Sequence, residues 1–385
     1  MKPKKPKKPM KALAFLDYFT PAFKAGGPIR VFEAAASASS PDHALAIVTQ
    51  DHDWGESEPL VGIVRNQWLD FSSARVFYTS AENQGFFSIR KLLRSERPDV
   101  VHLNSLFSRT WTLKILLLRR FGLTFGIRIL LSPHGELAPS ALAIKPLRKR
   151  VFVAFGKIFG LFNGLTWIAT AAKEVDEIKS VFGNDVRVLI SVPPPPSPIV
   201  HDRFMKKAGE LKIVFLARIS AMKNIGLIFD LLPKIEGKIT FHVYGPIDPA
   251  YESTWREISS RIPSIASAAI EYLGPVASDK SVATLALYDL FVQPSLSENF
   301  GFSILEALAA GTPVLISDRT PWNEVTAARI GTAISLDDIV GWRRALQGFV
   351  DMDESEWQQW SERAHTWIRD RAQKSSDLLK IYEEI

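Results

Sequence analysis

Short apolar strands alternate with longer helical patterns along almost the whole of this 385-residue chain. Segments such as "ALAIVTQ", "DVVHLNS", "LKIVFLA" and "DLFVQPS" have strand character, and helical stretches separate them. This alternation predicts βαβ units and parallel sheets, and the length suits two domains. We therefore predict an α/β fold of two tandem doubly wound (Rossmann-like) domains. The ligand site is expected in the cleft between them, outside the carboxyl ends of the strands.

A run of four prolines in "VPPPPSP", residues 192–198, interrupts the alternation. Consecutive prolines cannot join a helix or the interior of a sheet, and they favour an extended spacer. We place a domain boundary there. The predicted organisation is a disordered basic tail (1–11), an N-terminal domain (12–198), a C-terminal domain (199–365) and a C-terminal helix (366–385) that crosses back to the N-terminal domain.

The net charge of +6 comes from one short segment. Residues 1–11, "MKPKKPKKPMK", contain six lysines and no acidic residue, so the rest of the chain is formally neutral. No aromatic residue is interleaved with these lysines, which argues against nucleic-acid binding. A solubilising extension and an attraction to anionic lipid are the two interpretations left open. The sequence has no cysteine and no evident signal peptide, which favours a cytoplasmic location.

The stretch "SLSENFGFSILEALAAGTPVLIS", residues 295–317, places Glu298 and Glu306 eight positions apart. In one continuous helix they would be separated by about 12 Å, too far for a glycosidase carboxylate pair, which needs about 5–9.5 Å. We therefore predict that Glu298 lies in a strand-to-helix loop and that Glu306 lies one to two turns inside the helix. Gly301 would let a ligand approach the N–H groups at the helix N-terminus, which form an anion site.

Two cations follow the strand "LKIVFLA". Arg218 comes just after this strand, and Lys223 is predicted to open the following helix. Cations at the carboxyl end of a strand suit a phosphate or diphosphate. Together with the helix N-terminus and the two carboxylates, they describe a site for a nucleotide diphosphate.

At this point the residues resemble a known family. "ENFGFSILEALAAGTPVL" together with "ARISAMKN" is similar to the retaining glycosyltransferases of family GT4 (glycosyl transferase group 1), which have the GT-B fold. The spacing of Glu298 and Glu306 is the most specific part of the likeness. It extends to the "GGPIR" loop, to "SPHGELAPSALAIKPLRKR", to "ATAAKEV" and to the C-terminal helix. The resemblance thus covers nearly the whole chain after the tail.

The resemblance implies a role for each of these residues. Arg218 and Lys223 would neutralise the donor diphosphate, Glu298 would hold hydroxyls of the donor sugar, and Glu306 would accept from the ribose hydroxyls. Backbone N–H groups that contact sugar and phosphate would come from Asn299, Phe300, Gly301 and Phe302. From the N-terminal, acceptor-side domain, the residues facing the donor would be Gly26, Gly27 and His134.

The same resemblance implies a reaction. A hexosyltransferase of this kind moves a sugar from a nucleotide diphosphate sugar to a glycan or lipid-linked acceptor with retention of anomeric configuration, and the departing diphosphate helps to deprotonate the acceptor. No metal and no cofactor is then required. Cell-envelope, exopolysaccharide or lipopolysaccharide synthesis is the expected context. The residues favour none of UDP, GDP and ADP, and two alternatives stay open: a sugar-nucleotide epimerase or phosphorylase on the same fold, and an inactive partner subunit of a glycosyltransferase.

Some positions depart from the family pattern or suggest other chemistry. Ala217 stands where a glycine usually precedes the arginine, and Asn299 stands where glycine or alanine is usual. The "DHD" of residues 51–53 matches the Asp-x-Asp metal motif of the other major glycosyltransferase fold. That fold has one sheet domain and this chain repeats the alternation, so we interpret the motif as a solvated loop. The "DMD" at 351–353 is a weaker match. The histidines lack the spacing of a zinc site, so no metal site is predicted.

The segment "KPLRKRVFVAFGKIF" combines cations with apolar residues on a predicted helix. Its cations Lys145, Arg148, Lys149 and Arg150 lie beside Val151, Phe152, Phe155 and Phe159. This composition is typical of a helix that lies at a membrane surface, which predicts peripheral association with the inner face of an anionic membrane. The alternative is that the phenylalanines pack into the domain core. A transmembrane helix over residues 151–169 is disfavoured, because "LTWIATA" continues the series of strands.

Overall fold

The computed structural model describes residues 10–198, 205–265, 267–374 and 378–385. The chain divides into an N-terminal unit, Met1–Pro194 with Ser376–Ile385, and a C-terminal unit, Pro195–Ser375. The division lies inside the proline run. Most of the predicted basic tail falls outside the described residues, but Met10 and Lys11, which were assigned to that tail, begin the first strand.

The N-terminal unit contains one sheet with the strand order β3-β4-β2-β1-β5-β6-β7-β8. Each neighbouring pair is parallel except β3 and β4, which are antiparallel. The sequence analysis missed β3, a four-residue edge strand. The strands are β1 (Met10–Phe15), β2 (His43–Gln50), β3 (Trp68–Phe71), β4 (Ala74–Thr79), β5 (Val100–Asn104), β6 (Arg128–Ser132), β7 (Thr166–Ala169) and β8 (Arg187–Ile190).

Helices connect these strands, and the strand order reverses between β1 and β5. Loops at the carboxyl ends of such strands bound the crevice in which doubly wound sheets bind ligands. The helices are α1 (Gly27–Ala38), α2 (Phe86–Glu96), α3 (Thr112–Arg120), α4 (Pro139–Leu142), α5 (Pro146–Ile158) and α6 (Ala172–Phe182).

One predicted helix, "APSALAIKPLRKRVFVAF", is divided into α4 and α5. Lys145 lies between them with φ of 53°, and Pro146 begins α5. Proline disfavours helical geometry at the residue before it, and its lack of an N–H is tolerated in the first turn of a new helix. The break sets the direction of α5 independently of α4.

The C-terminal unit contains a second, parallel sheet with the order β11-β10-β9-β12-β13-β14. Its order reverses between β9 and β12, so the loops after these two strands bound its crevice. Here Leu211, Ile213 and Phe215 of β9 are fully buried in the core of the unit. The strands are β9 (Glu210–Leu216), β10 (Lys238–Tyr244), β11 (Ala268–Gly274), β12 (Leu290–Gln293), β13 (Val314–Ser317) and β14 (Gly331–Ile334).

Helices again cover the sheet of the C-terminal unit. The segment between β13 and the C-terminal helix received no assignment from sequence, and the structure places two helices and β14 there. The helices are α7 (Gly226–Leu231), α8 (Glu252–Ser260), α9 (Ser281–Leu285), α10 (Phe302–Ala309), α11 (Glu324–Ala328), α12 (Ile339–Asp351) and α13 (Glu354–Lys374).

The C-terminal segment is two helices where the sequence predicted one. Residues of the predicted helix 366–385 belong to α13 and to a separate α14 (Leu378–Glu383), whose apolar side chains are buried. Within the N-terminal unit, Tyr382 Oη lies 2.7 Å from Nδ1 of His102 on β5. Glu383 pairs with His43 at the start of β2. The end of the chain is therefore tied to the sheet of the N-terminal unit.

Candidate functional site

Glu298 lies in the loop between β12 and α10, as the sequence predicts, and its carboxylate is almost fully enclosed. Its Oε1 accepts hydrogen bonds from Gln293 Nε2 at 2.6 Å and from Ser295 Oγ at 2.9 Å, and it forms an ion pair with Lys223 Nζ. The side chain is 9% exposed. Because charge-assisted hydrogen bonds are the strong ones, this carboxylate fixes the loop after β12 against the loop after β9.

Lys223 does not open a helix, contrary to the sequence expectation. It ends a short 3₁₀ turn, Ala221–Lys223, and the left-handed residue Asn224 separates that turn from α7. Leu296 N also donates to Met222 O at 2.8 Å, so the two loops are joined by backbone as well as by the ion pair. This turn directs the ammonium group towards Glu298.

Arg218 lies two residues beyond β9 and is half-buried. It therefore belongs to the same loop as Lys223, at the point where the strand order reverses. The structure thus places two cations and one carboxylate on the loops after β9 and β12.

The N-terminus of α10 lies beside this group. Gly301 caps the helix with φ of 81°, without a side-chain cap, and such an angle favours glycine. Trp322 Nε1 donates to the carbonyl oxygen of Phe300, and a Cβ at position 301 would lie 3.1 Å from that nitrogen. Phe302 is the first residue of α10, and Glu306 is buried one turn further on. Trp322 thus holds the turn that presents the helix N-terminus.

Sequence reasoning missed three residues that shape this site. Gln293 and Ser295 orient Glu298, and Trp322 supports the turn before α10. Gln293 could have been identified from sequence, because it is a polar residue at the end of the apolar strand in "DLFVQPS". Trp322 has no such signal, because its partner is a backbone carbonyl 22 residues away.

In the N-terminal unit, His134 follows β6 in a strained turn with φ of 52°. Its Nε2 lies 2.8 Å from Asn104 Oδ1, and Asn104 Nδ2 donates to Phe15 O at 3.2 Å. That second bond fixes the orientation of the amide, so His134 Nε2 carries the proton. The opposite ring nitrogen, Nδ1, is then a hydrogen-bond acceptor.

Glu174 holds the same turn from the start of α6. Its Oε1 accepts from Gly135 N at 2.7 Å, and its Oε2 accepts from Thr170 N at 2.7 Å and from Thr170 Oγ1 at 2.9 Å. Burial lowers the pKa of His134, and the charge of Glu174 opposes that shift. The net effect is a lowered pKa, which keeps the imidazole of His134 neutral at pH 7.

Gly26 and Gly27 lie at the N-terminus of α1, after β1. Gly26 has φ of 86° and serves as the N-cap of α1, again without a side-chain cap. The loop before it is anchored by Asp53, which accepts from Phe23 N at 3.0 Å and from Lys24 N at 3.3 Å. The glycine loop is therefore positioned by backbone hydrogen bonds to a buried carboxylate.

This contact corrects the solvated-loop interpretation of the "DHD" motif. Asp53 is only 2% exposed and binds backbone N–H groups, whereas Asp51 pairs with His52 and Arg65. In the "DMD" segment, Asp353 Oδ1 accepts from Glu356 N at 2.9 Å at the start of α13. Among residues 10–198, 205–265, 267–374 and 378–385, no three His, Asp or Glu side chains are grouped so as to hold a metal ion.

Glu136 is a buried carboxylate that the sequence analysis did not single out. It accepts from Ser105 Oγ at 2.7 Å, Leu106 N at 2.6 Å and Phe107 N at 3.3 Å, and so ties the loop after β6 to the loop after β5. Burial raises the pKa of Glu136 to about 7, against the lowering effect of these hydrogen bonds. The loops beside His134 therefore contain a group that titrates near neutral pH.

We expect Glu136→Gln to stabilise the protein above neutral pH. Below a pH of about 4.5 the carboxyl is protonated in both folded and unfolded states, so the substitution has no charge effect. As pH rises towards 7 the unfolded state loses its proton first, and the wild type loses stability, by about 3 kcal/mol in all. The amide keeps its oxygen for Leu106 N–H and can donate to Ser105 Oγ.

Urea unfolding of both proteins from pH 4 to pH 8 measures this effect. The difference in unfolding free energy should grow with pH for Glu136→Gln and stay constant for a control, Glu58→Gln, in an exposed loop. A constant difference for Glu136→Gln would show that folding does not raise the pKa of the Glu136 carboxyl.

Comparison with known proteins finds a family match over part of the chain. Residues 210–350 match the family model described as Glycosyl transferases group 1. The chain is 30% identical over 121 residues to a phosphatidyl-myo-inositol mannosyltransferase of Mycolicibacterium smegmatis. That match covers 30% of this chain and 31% of the relative, so the chain spans about a third of the length of the curated relatives that it matches.

Solved structures match almost the whole chain at low identity. Sucrose-phosphate synthase from Thermosynechococcus elongatus superposes with a TM-score of 0.68 at 16% identity, covering 94% of both chains. Anabaena Alr3699/HepE, solved in complex with UDP and glucose, superposes with a TM-score of 0.67 at 13% identity, covering 98% of this chain and 100% of that one.

Two parallel-sheet α/β units and these structural neighbours define a GT-B fold, so the predicted fold class is confirmed. The match of residues 210–350 to the group 1 glycosyltransferase model agrees with the family that the sequence resembles.

Proposed function

We propose that the protein is a retaining glycosyltransferase that moves a sugar from a nucleotide diphosphate sugar to a glycan or lipid-linked acceptor. One observation carries this proposal: Arg218, Lys223, Glu298 and the glycine-capped N-terminus of α10 occupy the loops at the strand-order reversal of the C-terminal unit. Cations and free helix N–H groups bind a diphosphate, and carboxylates accept from sugar hydroxyls.

The chain's own residues supply electrostatic assistance in this proposal. Arg218 and Lys223 stabilise the charge that develops on the departing diphosphate, an effect that is usually the largest in catalysis. Glu298 holds the donor sugar and Glu306 holds the ribose. Gly26, Gly27 and His134 lie in the other unit, and their contacts with the donor remain predictions. We propose that the reaction needs no metal, because the two cations and the helix N-terminus already counter the diphosphate charge.

A thermal-shift screen tests this proposal. UDP, GDP, ADP and their sugars are added separately, and a ligand in excess over its dissociation constant raises the melting temperature. Stabilisation by one nucleotide family identifies the donor, and no stabilisation by any of them would count against a donor site. Product analysis with and without an acceptor then separates a transferase from an epimerase, which needs none.

We also propose that the N-terminal unit associates with an anionic membrane. Helix α5 exposes Leu147, Val151, Phe155 and Ile158 at a spacing of i, i+4, i+8 and i+11, which is one helical face. Their exposures run from 43% to 80%. Phe152, predicted to belong to this face, instead packs between Phe107 and Phe162. An exposed apolar face among cations supports binding in the plane of a membrane surface.

No helix in the described ranges is long and apolar enough to cross a membrane. In our proposal the contact with the membrane is made through the exposed apolar face of α5. Its neighbours Lys145, Arg148 and Arg150 are exposed, and each basic residue near an anionic surface contributes about 1 kcal/mol. This combination favours a lipid-linked acceptor in envelope synthesis and a peripheral location.

Vesicle sedimentation tests the membrane proposal. Wild-type protein should pellet with anionic vesicles at low salt, pellet less at high salt and stay in the supernatant with neutral vesicles. Val151→Glu combined with Phe155→Glu should abolish pelleting. A matched control, Val340→Glu on exposed α12 of the C-terminal unit, should pellet as the wild type does. Equal recovery in the supernatant for both lipids would exclude this interaction and favour a soluble acceptor.

A further inference from the structure

A groove of about 860 Å³ runs between α4, α5 and α6 of the N-terminal unit. Its surface is mainly apolar, and the apolar side chains include Leu137, Leu142, Pro146, Val153 and Val181. A groove of this size lies within the range of small-molecule sites, about 300–1,000 Å³. Its lining is suited to a flexible hydrocarbon.

The groove also carries an excess of positive charge. The ionisable side chains that line it are Lys149, Arg150, Lys157, Lys173, Asp176 and Glu177. Burial raises the pKa of Glu177 to about 7, so this carboxyl is only partly ionised at neutral pH. Four cations thus oppose between one and two negative charges, which favours a ligand with an anionic end.

Two neighbouring surfaces set the direction of such a ligand. On α5, Ala154 lines the groove, and Leu147 of the exposed apolar face lies seven residues earlier on the same side of the helix, so groove and face adjoin. At the other side, Leu137 lies three residues after His134, and Lys173 directly precedes Glu174, which binds Gly135 N. The groove therefore connects a surface suited to lipid with the loops around His134.

We propose that this groove binds the hydrocarbon chain of a membrane lipid acceptor whose head carries a phosphate group. The chain lies along the apolar lining, and the phosphate is held by the cations of α5 and α6. This inference rests on the proposed function, because it identifies the acceptor as a phosphorylated amphiphile. Each methylene buried in the groove should strengthen binding about fourfold.

Isothermal titration with dodecyl phosphate below its critical micelle concentration tests the groove directly, on the full chain and without any donor. We expect saturable binding with one ligand per protein. Val153→Asp, which places a charge on the apolar lining, should weaken binding at least tenfold, and Ala154→Trp, which fills the groove, should do the same. Val61→Asp, at a 96% exposed loop position of the same unit, is the matched control and should bind dodecyl phosphate as the wild type does.

Two further ligands separate the contribution of the phosphate group from that of the hydrocarbon chain. Inorganic phosphate at the same concentration should not displace dodecyl phosphate, and dodecanol should bind more weakly than dodecyl phosphate. Equal binding by wild type, Val153→Asp and Ala154→Trp would overturn the proposal, as would displacement by inorganic phosphate alone. If dodecyl phosphate binds as expected while no nucleotide sugar is used with any acceptor, the proposed function fails and the groove remains a binding site for a phosphorylated amphiphile. If sugar is transferred to soluble glycans but to no lipid phosphate, the proposed function stands and the lipid acceptor is refuted.

Discussion

Replacing Lys223 with alanine is expected to lower kcat/KM for sugar transfer by about 100- to 1,000-fold, the loss seen when one group that stabilises transition-state charge is removed. Lys223 is paired with Glu298 across the loops after β9 and β12. The substitution removes a cation from the proposed diphosphate site and also leaves the Glu298 carboxylate, only 9% exposed, without its ion-pair partner. Steady-state kinetics with the donor found by thermal shift measures the effect.

Two control variants make this result interpretable. Lys238→Ala removes a 77% exposed lysine that pairs with Glu210 at the amino-terminal ends of β10 and β9, far along the strands from the proposed site. It should leave kcat/KM unchanged. The double variant Lys223→Ala with Glu298→Gln removes the unpaired carboxylate and should recover thermal stability but not activity. Full activity in Lys223→Ala would refute the role of this lysine.

The same assay tests whether a metal is needed. Turnover by the wild type should be unchanged after EDTA treatment and should not rise on addition of manganese. Strict dependence on manganese would contradict the proposal that Arg218 and Lys223 counter the diphosphate charge without a metal.

Much of the fold was predictable because it depends on local patterns. Apolar runs such as "LKIVFLA" correspond to β9, and the loop and helix positions of Glu298 and Glu306 agree with the structure. The predictions that were wrong depended on single residues or on weak sequence signals. The apolar periodicity predicted one continuous helix where Pro146 begins a separate helix, α5. The edge strand β3 was missed because it has only four residues.

The candidate site was predictable in its charged residues but not in what positions them. Lys223 and Glu298 were chosen from sequence, yet their ion pair joins positions 75 residues apart, a contact that periodicity does not encode. Glu174 and Asn104, which hold the His134 turn, act through backbone or ring hydrogen bonds over 30 residues or more. Such partners are specified by the packing of loops at the strand ends.

The two glutamates should respond differently to removal of their charge. The three donors to Glu298 all reach Oε1 and none of them reaches Oε2, which leaves that oxygen to accept from a sugar hydroxyl. Glu298→Gln replaces an acceptor with a donor and weakens the pairing with Lys223. We expect kcat/KM with the nucleotide sugar to fall about 100-fold, while the affinity for the bare nucleotide diphosphate changes less than about threefold, since the sugar is absent.

Glu306 should show the opposite pattern. It is buried in α10, one turn beyond the glycine-capped end, and in our proposal it accepts from the ribose, which the bare nucleotide also carries. A hydrogen bond to a charged group contributes about 1.5–3 kcal/mol, so Glu306→Gln should weaken bare nucleotide binding about 10- to 100-fold. Titration calorimetry on both variants, with exposed Glu257→Gln of α8 as the control, measures this. A larger loss of bare nucleotide affinity in Glu298→Gln than in Glu306→Gln would reverse the two assignments, because the ribose would then depend on the loop carboxylate.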